Sequence, residues 1–340
     1  MKTGWNGRLL PLLFLTACLI ALVVLAFAVG KYRIAPVDLY RLIWAKITGT
    51  PHDLPPAIET VVFAVRAPRV IGAMIVGAAL AAAGAAYQGL FRNPLVAPDI
   101  LGVSSGAALG AAVGIFLSFD VVAIQGFAFL CGLGAVATVY AVGSTVRGQD
   151  PILTLVLSGV VLGSLLGSCI ALLKYLADPY DQLPAITFWL LGSLASTTGQ
   201  DIASTLPAVL AGMVPLYLLR WRMDVMSLGD EEARALGVEA GRLRIVIVAA
   251  ATLMTAAVVS ISGIIGWVGL LIPHFARMLV GPGFARLLPA SIILGGAYLL
   301  LVDTLARTVA ATEIPLGVLT AFIGTPFFIW LLATARRGWQ

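Results

Sequence analysis

The chain has 340 residues, 60% of them hydrophobic and 11% charged, with a formal net charge of +5 and a mean hydropathy of +1.03. A soluble domain of this length needs far more charge to cover its surface, which excludes one. The small positive balance suits basic loops beside a bilayer and gives no reason to expect a nucleic-acid partner.

Apolar runs long enough to cross a bilayer as helices recur along the chain. Ten spans are predicted: 9–30, 68–90, 100–118, 121–146, 152–176, 201–221, 243–262, 265–281, 287–308 and 315–335. They define an all-α, polytopic integral membrane protein. The first run follows Lys2 and Arg8 as a signal peptide would. It has no small-x-small cleavage site before Lys31, and more spans follow, so it reads as a retained helix. Residues 36–48, "PVDLYRLIWAKIT", predict a short amphipathic helix outside the second span. Residues 184–197, "PAITFWLLGSLAST", are apolar but too short to cross, which predicts a re-entrant or interfacial helix. Glycine is abundant, at 36 residues, and in lipid that predicts closely packed helices. Cys18, Cys131 and Cys169 lie far apart in apolar spans and form neither a disulfide framework nor a metal site.

Orientation follows from Lys and Arg near the span ends. With the N-terminus inside, the inner set is Lys2, Arg8, Arg92, Arg147, Arg220, Arg222, Arg234, Arg242, Arg244, Arg277, Arg286, Arg336 and Arg337. The smaller outer set is Lys31, Arg33, Arg41, Lys46, Arg66, Arg69, Lys174 and Arg307. Both termini are therefore expected inside. The largest inner loop, about 223–241, is then cytoplasmic, and its helix formers around Gly229 and Gly237 predict two short helices joined by a turn.

The segment "GLFRNPLVAPDILGVSSGAALGA", 89–111, stops one helix with two prolines and Asn93 and starts the next with small residues. It reads equally as a tight inner turn before a closely packed helix and as a small-residue wall beside a solute path. No G-x-x-x-x-G-K-[ST] loop occurs, so the chain does not hydrolyse ATP by that route. H-E-x-x-H and G-x-S-x-G are absent too, and no catalytic residue is expected. His52 and His274 are far apart, and His274 reads as a buried ring bonded to a backbone carbonyl rather than a ligand. Pro273 before it is expected to kink its helix.

Four segments together carry a resemblance: "RNPLVAPDILGVSSGAALGA" (92–111), "LGDEEARALGV" (228–238), "SGIIGWVGLLIPHFARMLVG" (262–281) and "EIPLGVLTAFIGTPFFIWLL" (313–332). In this order they resemble the permease subunits of ABC importers for iron–siderophores, haem and cobalamin. The resemblance implies one transmembrane permease domain over 1–340, paired with a second copy around a path at the two-fold axis. Each copy would grip one cytoplasmic ATPase subunit, which holds ATP and Mg; this chain would bind no cofactor. Leu228, Gly229, Asp230, Glu231, Glu232, Ala233, Leu236 and Gly237 match the coupling element. Its acidic and basic side chains suit a partner's surface, while Leu228, Ala233, Leu236 and Val238 could fill a partner's groove.

Arg66, Arg69 and Arg307 match arginines that meet acidic residues of a periplasmic or lipid-anchored solute-binding protein. Arg66 and Arg69 are three residues apart, so both are expected to face the outer surface; headgroup snorkelling is the competing reading. Asp303, one turn from Arg307, is positioned to hold it. Spans five and ten and the 184–197 helix would line the path, with an inner gate near Pro151, Ile152 and Leu153. Lys174 either snorkels at the outer end of span five or faces the path, where it would favour an anionic solute. The implied solute is a metal chelate, an iron–siderophore complex before haem, cobalamin or an oxyanion. The competing class is an ion-coupled secondary transporter, which needs midplane carboxylates; Asp303 and Glu313 lie towards the outer end instead. The expected location is the bacterial inner membrane.

Overall fold

The structure is a computed structural model that describes residues 5–30, 32–51, 53–145 and 151–335. Among these residues it is built from helices and their connections, with no strand. In chain order the helices are α1 (Trp5–Ala28), α2 (Pro36–Thr48), α3 (Pro56–Glu59), α4 (Ala67–Leu90), α5 (Val103–Phe116), α6 (Val121–Thr145), α7 (Pro151–Leu176) and α8 (Gln182–Leu191). They continue as α9 (Gly199–Leu218), α10 (Arg220–Met226), α11 (Asp230–Ala235), α12 (Ala240–Ser262), α13 (Val268–Val280), α14 (Phe284–Ala306) and α15 (Leu316–Ala335). A π-helical stretch, Thr60–Arg66, joins α3 to α4 into one continuous rod.

Each of the ten apolar runs coincides with a helix, and among the described residues seven stretches are long and apolar enough to cross a bilayer: Leu10–Ala28 of α1, Pro56–Leu90, α6, α7, α9, α12 and α14. Val103–Phe116 and Val268–Val280 are apolar and shorter, at 14 and 13 residues, while α15 is 20 residues long. The shortening has local causes. Before α5 the chain makes a 3₁₀ turn, Pro98–Leu101, closed by Gly102 at φ 80°. Before α13 it runs irregularly from Gly263, at φ 67°, to Trp267, at φ 72°. The short helix expected over 184–197 begins two residues earlier and stops at Leu191, because Gly192 turns at φ 73°.

These breaks meet. The Ser193 amide donates to the Ser262 carbonyl at 2.8 Å, and the Leu316 amide donates to the Gly192 carbonyl at 3.0 Å. Irregular backbone at membrane depth must satisfy its own polar groups, and crossing the breaks does that.

The packed centre is α4 with α12, α13 and α14 around it. Small residues set the distances. A Cβ at Gly77 would lie 2.1 Å from the Gly295 carbonyl on α14, and one at Gly84 would lie 1.9 Å from the Gly269 carbonyl on α13. Water-driven burial does not hold helices together in lipid; close backbone approach and dispersion do. Helix α2 lies aside in a small cluster of its own. Leu39 and Leu42 pack on Ile34, Ile58 and Val62, while Tyr40 and Trp44 stack on its exposed face with centroids 6.2 Å apart.

Helix α4 thus has two ends. At one lie Arg66 and Arg69, with Arg307 after α14 beside them. At the other lie α10 and α11, where Met223 meets Gly89 near the end of α4.

Candidate functional site

Where the breaks meet, an apolar cavity of about 700 Å³ opens. Leu190 and Leu191 from α8, Ile264 and Trp267 from the break, and Val318, Ala321, Phe322, Thr325 and Pro326 from α15 line it. No lining residue is charged. Trp267 holds a left-handed backbone, a conformation costing about 1–3 kcal/mol for a bulky residue, with its indole across Gly324 of α15, where a Cβ would lie 2.6 Å from the ring. Phe328 packs against the same indole at 6.2 Å between centroids.

Helices α15 and α8 therefore share a cavity. Within one chain α7 does not line it. Leu153, Leu157 and Val161 border a separate apolar cavity of about 450 Å³ with Thr138, Val139 and Val142 of α6. Leu153 is 50% exposed, and Ile152 and Lys174 are half-buried. Pro151 opens α7, and its side chain lies outside the described residues, as do Asp150, Lys2, Lys31, His52, Arg147, Arg336 and Arg337. His274 is half-buried rather than fully buried, with its ring 6.2 Å from that of Phe327. The three cysteines are unpaired and half-buried.

The three arginines do come together, but not with their guanidinium groups turned outwards. Arg66, Arg69 and Arg307 are all buried, which corrects the expectation of an exposed pair. Arg69 is held by two acids: its Nε donates to both oxygens of Asp303, at 2.9 and 3.1 Å, and its Nη1 donates to Glu313 at 2.9 Å. Arg307 donates to the carbonyls of Val29 at 2.8 Å and Ala26 at 2.5 Å, in and just past the last turn of α1. Arg66 donates to the carbonyls of Phe27 and Tyr32. The last turn of α1 has no basic residue of its own, so Arg66 and Arg307 satisfy carbonyls that a helix end leaves unpaired. Asp303 does pair with Arg307, at 3.7 Å, but Arg69 holds it more tightly. The three guanidinium groups and Glu313 border a cavity of about 220 Å³.

At the opposite end the charged segment forms two short helices, α10 and α11, with a turn at Ser227–Gly229. Gly229, at φ 133°, and Gly237, at φ 77°, hold backbone angles that side chains resist. Leu228 is 60% and Leu236 55% exposed, and Glu231 and Glu232 are exposed with them. Ala233 and Val238 are not available to a partner: both are buried in the chain's own core, a correction to the groove-filling set. Asp230 is likewise engaged, with Oδ2 3.0 Å from Nη2 of Arg244 on α12.

Sequence reading named Glu313 only as a carboxylate towards the outer end, without its pairing to Arg69, and missed Trp267 and Asp224. Oδ1 of Asp224 on α10 accepts from the Phe284 amide at 2.5 Å, and Oδ2 accepts from the Ala285 amide at 3.4 Å, at the start of α14. The available signal was negative: Gly283, which precedes α14, offers no side chain to cap it.

A model of the FecCD transport family matches residues 18–334. The molybdate import system permease protein MolB of Haemophilus influenzae is 40% identical over 324 residues, covering 95% of each chain. The cobalamin import system permease protein BtuC of Halobacterium salinarum is 40% identical over 333 residues, covering 95% of this chain and 89% of its own. A solved structure described as an inward-facing conformation of a metal-chelate type ABC transporter superposes with a TM-score of 0.85 at 38% identity, covering 95% of this chain and 98% of that one.

Proposed function

The chain belongs to the FecCD transport family, as a multi-pass permease subunit of an ABC importer, and from that premise we propose that it moves a metal chelate through a path shared with a second copy of itself. The observation that carries the solute class is the cavity at the α8–α15 junction. Its lining is apolar and uncharged, so it offers no counter-charge to a bare ion. A chelate keeps the metal's charge inside an organic shell and passes such a wall without a desolvated charge. An iron–siderophore complex fits this class, as do haem and cobalamin. The relative named for molybdate import favours a second reading, an oxyanion.

In this reading α5, α13 and α15 complete ten crossings with both termini inside, in a bacterial inner membrane. ATP and Mg bind to a separate ATPase subunit, which docks on the exposed Leu228, Leu236, Glu231 and Glu232. Two such subunits serve the permease pair. The end with Arg66, Arg69 and Arg307 receives the solute-binding protein, and a carboxylate from that protein reaches Arg69 by displacing Glu313.

The test is reconstitution of the permease with its ATPase and binding protein in liposomes, supplied in turn with a ferric siderophore, haem, cobalamin and molybdate. Uptake of one of the three chelates and not of molybdate is expected; uptake of molybdate alone would replace the chelate reading. Leu228→Glu should release the ATPase subunit on co-purification, and full retention would displace the docking assignment.

A further inference from the structure

We infer that Asp224 is the positioning residue through which movement of α10 reaches α14; this rests on the reading of α10 and α11 as the ATPase-docking element. The two short helices are each tied by one carboxylate to a different long helix. Asp230 of α11 pairs with Arg244 of α12, at 3.0 Å. Asp224 of α10 accepts from the Phe284 and Ala285 amides of α14. A helix start presents unpaired amides and partial positive charge, and a carboxylate there is held firmly. Here the carboxylate comes from 60 residues earlier in the chain rather than from the helix's own flank, so the cap is also a tether.

The tethered helix leads somewhere. Helix α14 has 23 residues, about 34 Å at the helical rise, and near its far end Asp303 holds Arg69. A shift of α10 that drags the start of α14 therefore displaces the partner of the buried arginine at the opposite end. Met223 and Val225, which flank Asp224, are buried and make α10 a packed piece rather than a loose loop.

A stabilising cap and a transmitting tether are separable, because Gly283 can be given its own capping side chain. Gly283 has an extended backbone, φ −62° and ψ 121°. A Cβ there would meet only Asp224 Oδ1, at 3.9 Å. In Asp224→Ala, Gly283→Asp caps α14 locally and leaves α10 untied.

The experiment uses the permease–ATPase complex with Cys18, Cys131 and Cys169 replaced by serine. Spin labels at the exposed Leu305, in the last turn of α14, and the exposed Tyr180, in the α7–α8 connection, report distance with and without ATP and vanadate. In the parent, nucleotide should shift the distance distribution. Asp224→Ala should cut the shifted population about tenfold, the order expected for losing one charge-assisted hydrogen bond, while the ATPase stays bound. Adding Gly283→Asp should restore thermal stability and not the shift. Recovery of both would reduce Asp224 to a structural cap and overturn the inference. So would an unchanged shift in Asp224→Ala, loss of ATPase binding in that variant, or a parent that binds the ATPase and shows no shift. A parent that fails to bind the ATPase at all rejects the docking assignment instead.

Discussion

Helices α4 and α7 are similar in length, 24 and 26 residues, and both fall in stretches apolar enough to cross a bilayer, yet they occupy opposite environments. In the apolar stretch of Pro56–Leu90 that would cross the bilayer, 78% of residues are buried inside the chain, against 11% for that of Ile152–Leu176. The difference is size, not polarity. Helix α4 turns Ala73, Ala79, Ala82, Ala83 and Ala86 inwards, whereas α7 shows Leu153, Leu157, Val161 and Leu165 to its surroundings. Lipid tails are as apolar as leucine, so hydrophobicity does not decide which helix goes inside; the ability to approach closely does.

The strongest way to break this comparison is to add the same bulk to each helix. Gly84→Leu forces a side chain into the Gly269 carbonyl, where a Cβ already sits at 1.9 Å. It should abolish the monodisperse, folded chain on size-exclusion chromatography in detergent. Gly167→Leu on α7 meets nothing within 4 Å and should leave monomer stability within about 0.5 kcal/mol. Comparable losses from both would mean that α7 is packed in a way the single chain does not display.

Next in size is the charge buried among the small residues. Asp303 is 0% exposed and bonded to Arg69. Asp303→Asn removes the counter-charge of a buried arginine and should cost about 3–5 kcal/mol in thermal or denaturant unfolding. Glu313, whose side chain is 36% exposed, holds the same arginine from the solvent side. Glu313→Gln should cost about 1 kcal/mol or less, because water takes over part of its role. If the two costs are equal, the two carboxylates share Arg69 evenly and burial does not rank them.

The smallest effect on the fold, and the sharpest on its assembly, is expected from α7. Leu153→Cys or Ile152→Cys, with the three native cysteines replaced, should leave stability unchanged and yet form a reducible dimer under oxidation. That outcome requires the two copies to bring these positions within about 7 Å. A cysteine at Val121, exposed at the start of α6, serves as the control. No cross-link at either position, with or without nucleotide, would place the exposed stripe against lipid and move the proposed path away from it.

Much of the fold was legible because lipid imposes strong rules on sequence. The ten apolar runs each became a helix, since every backbone group at membrane depth must be paired. The charged stretch at 223–241 became two short helices around glycines whose positive φ angles forbid continuation. What escaped were partners between distant segments. Arg66 and Arg69 read as surface arginines because three-residue spacing describes only their own helix. Their burial depends on where α1 ends and on Asp303, 234 residues further along from Arg69.

The sequence by itself determined the class of molecule, the order of its helices and the family to which it belongs, because hydropathy, helix breakers and local motifs are written in consecutive residues. Only the tertiary structure decided that Arg66 and Arg307 close the end of α1, that Asp224 caps α14, and that the breaks at Gly192 and Gly263–Trp267 meet beside one apolar cavity. Each of these joins groups from separate elements. Their energies come from desolvation, charge pairing and close backbone contact, which depend on distances in space rather than along the chain.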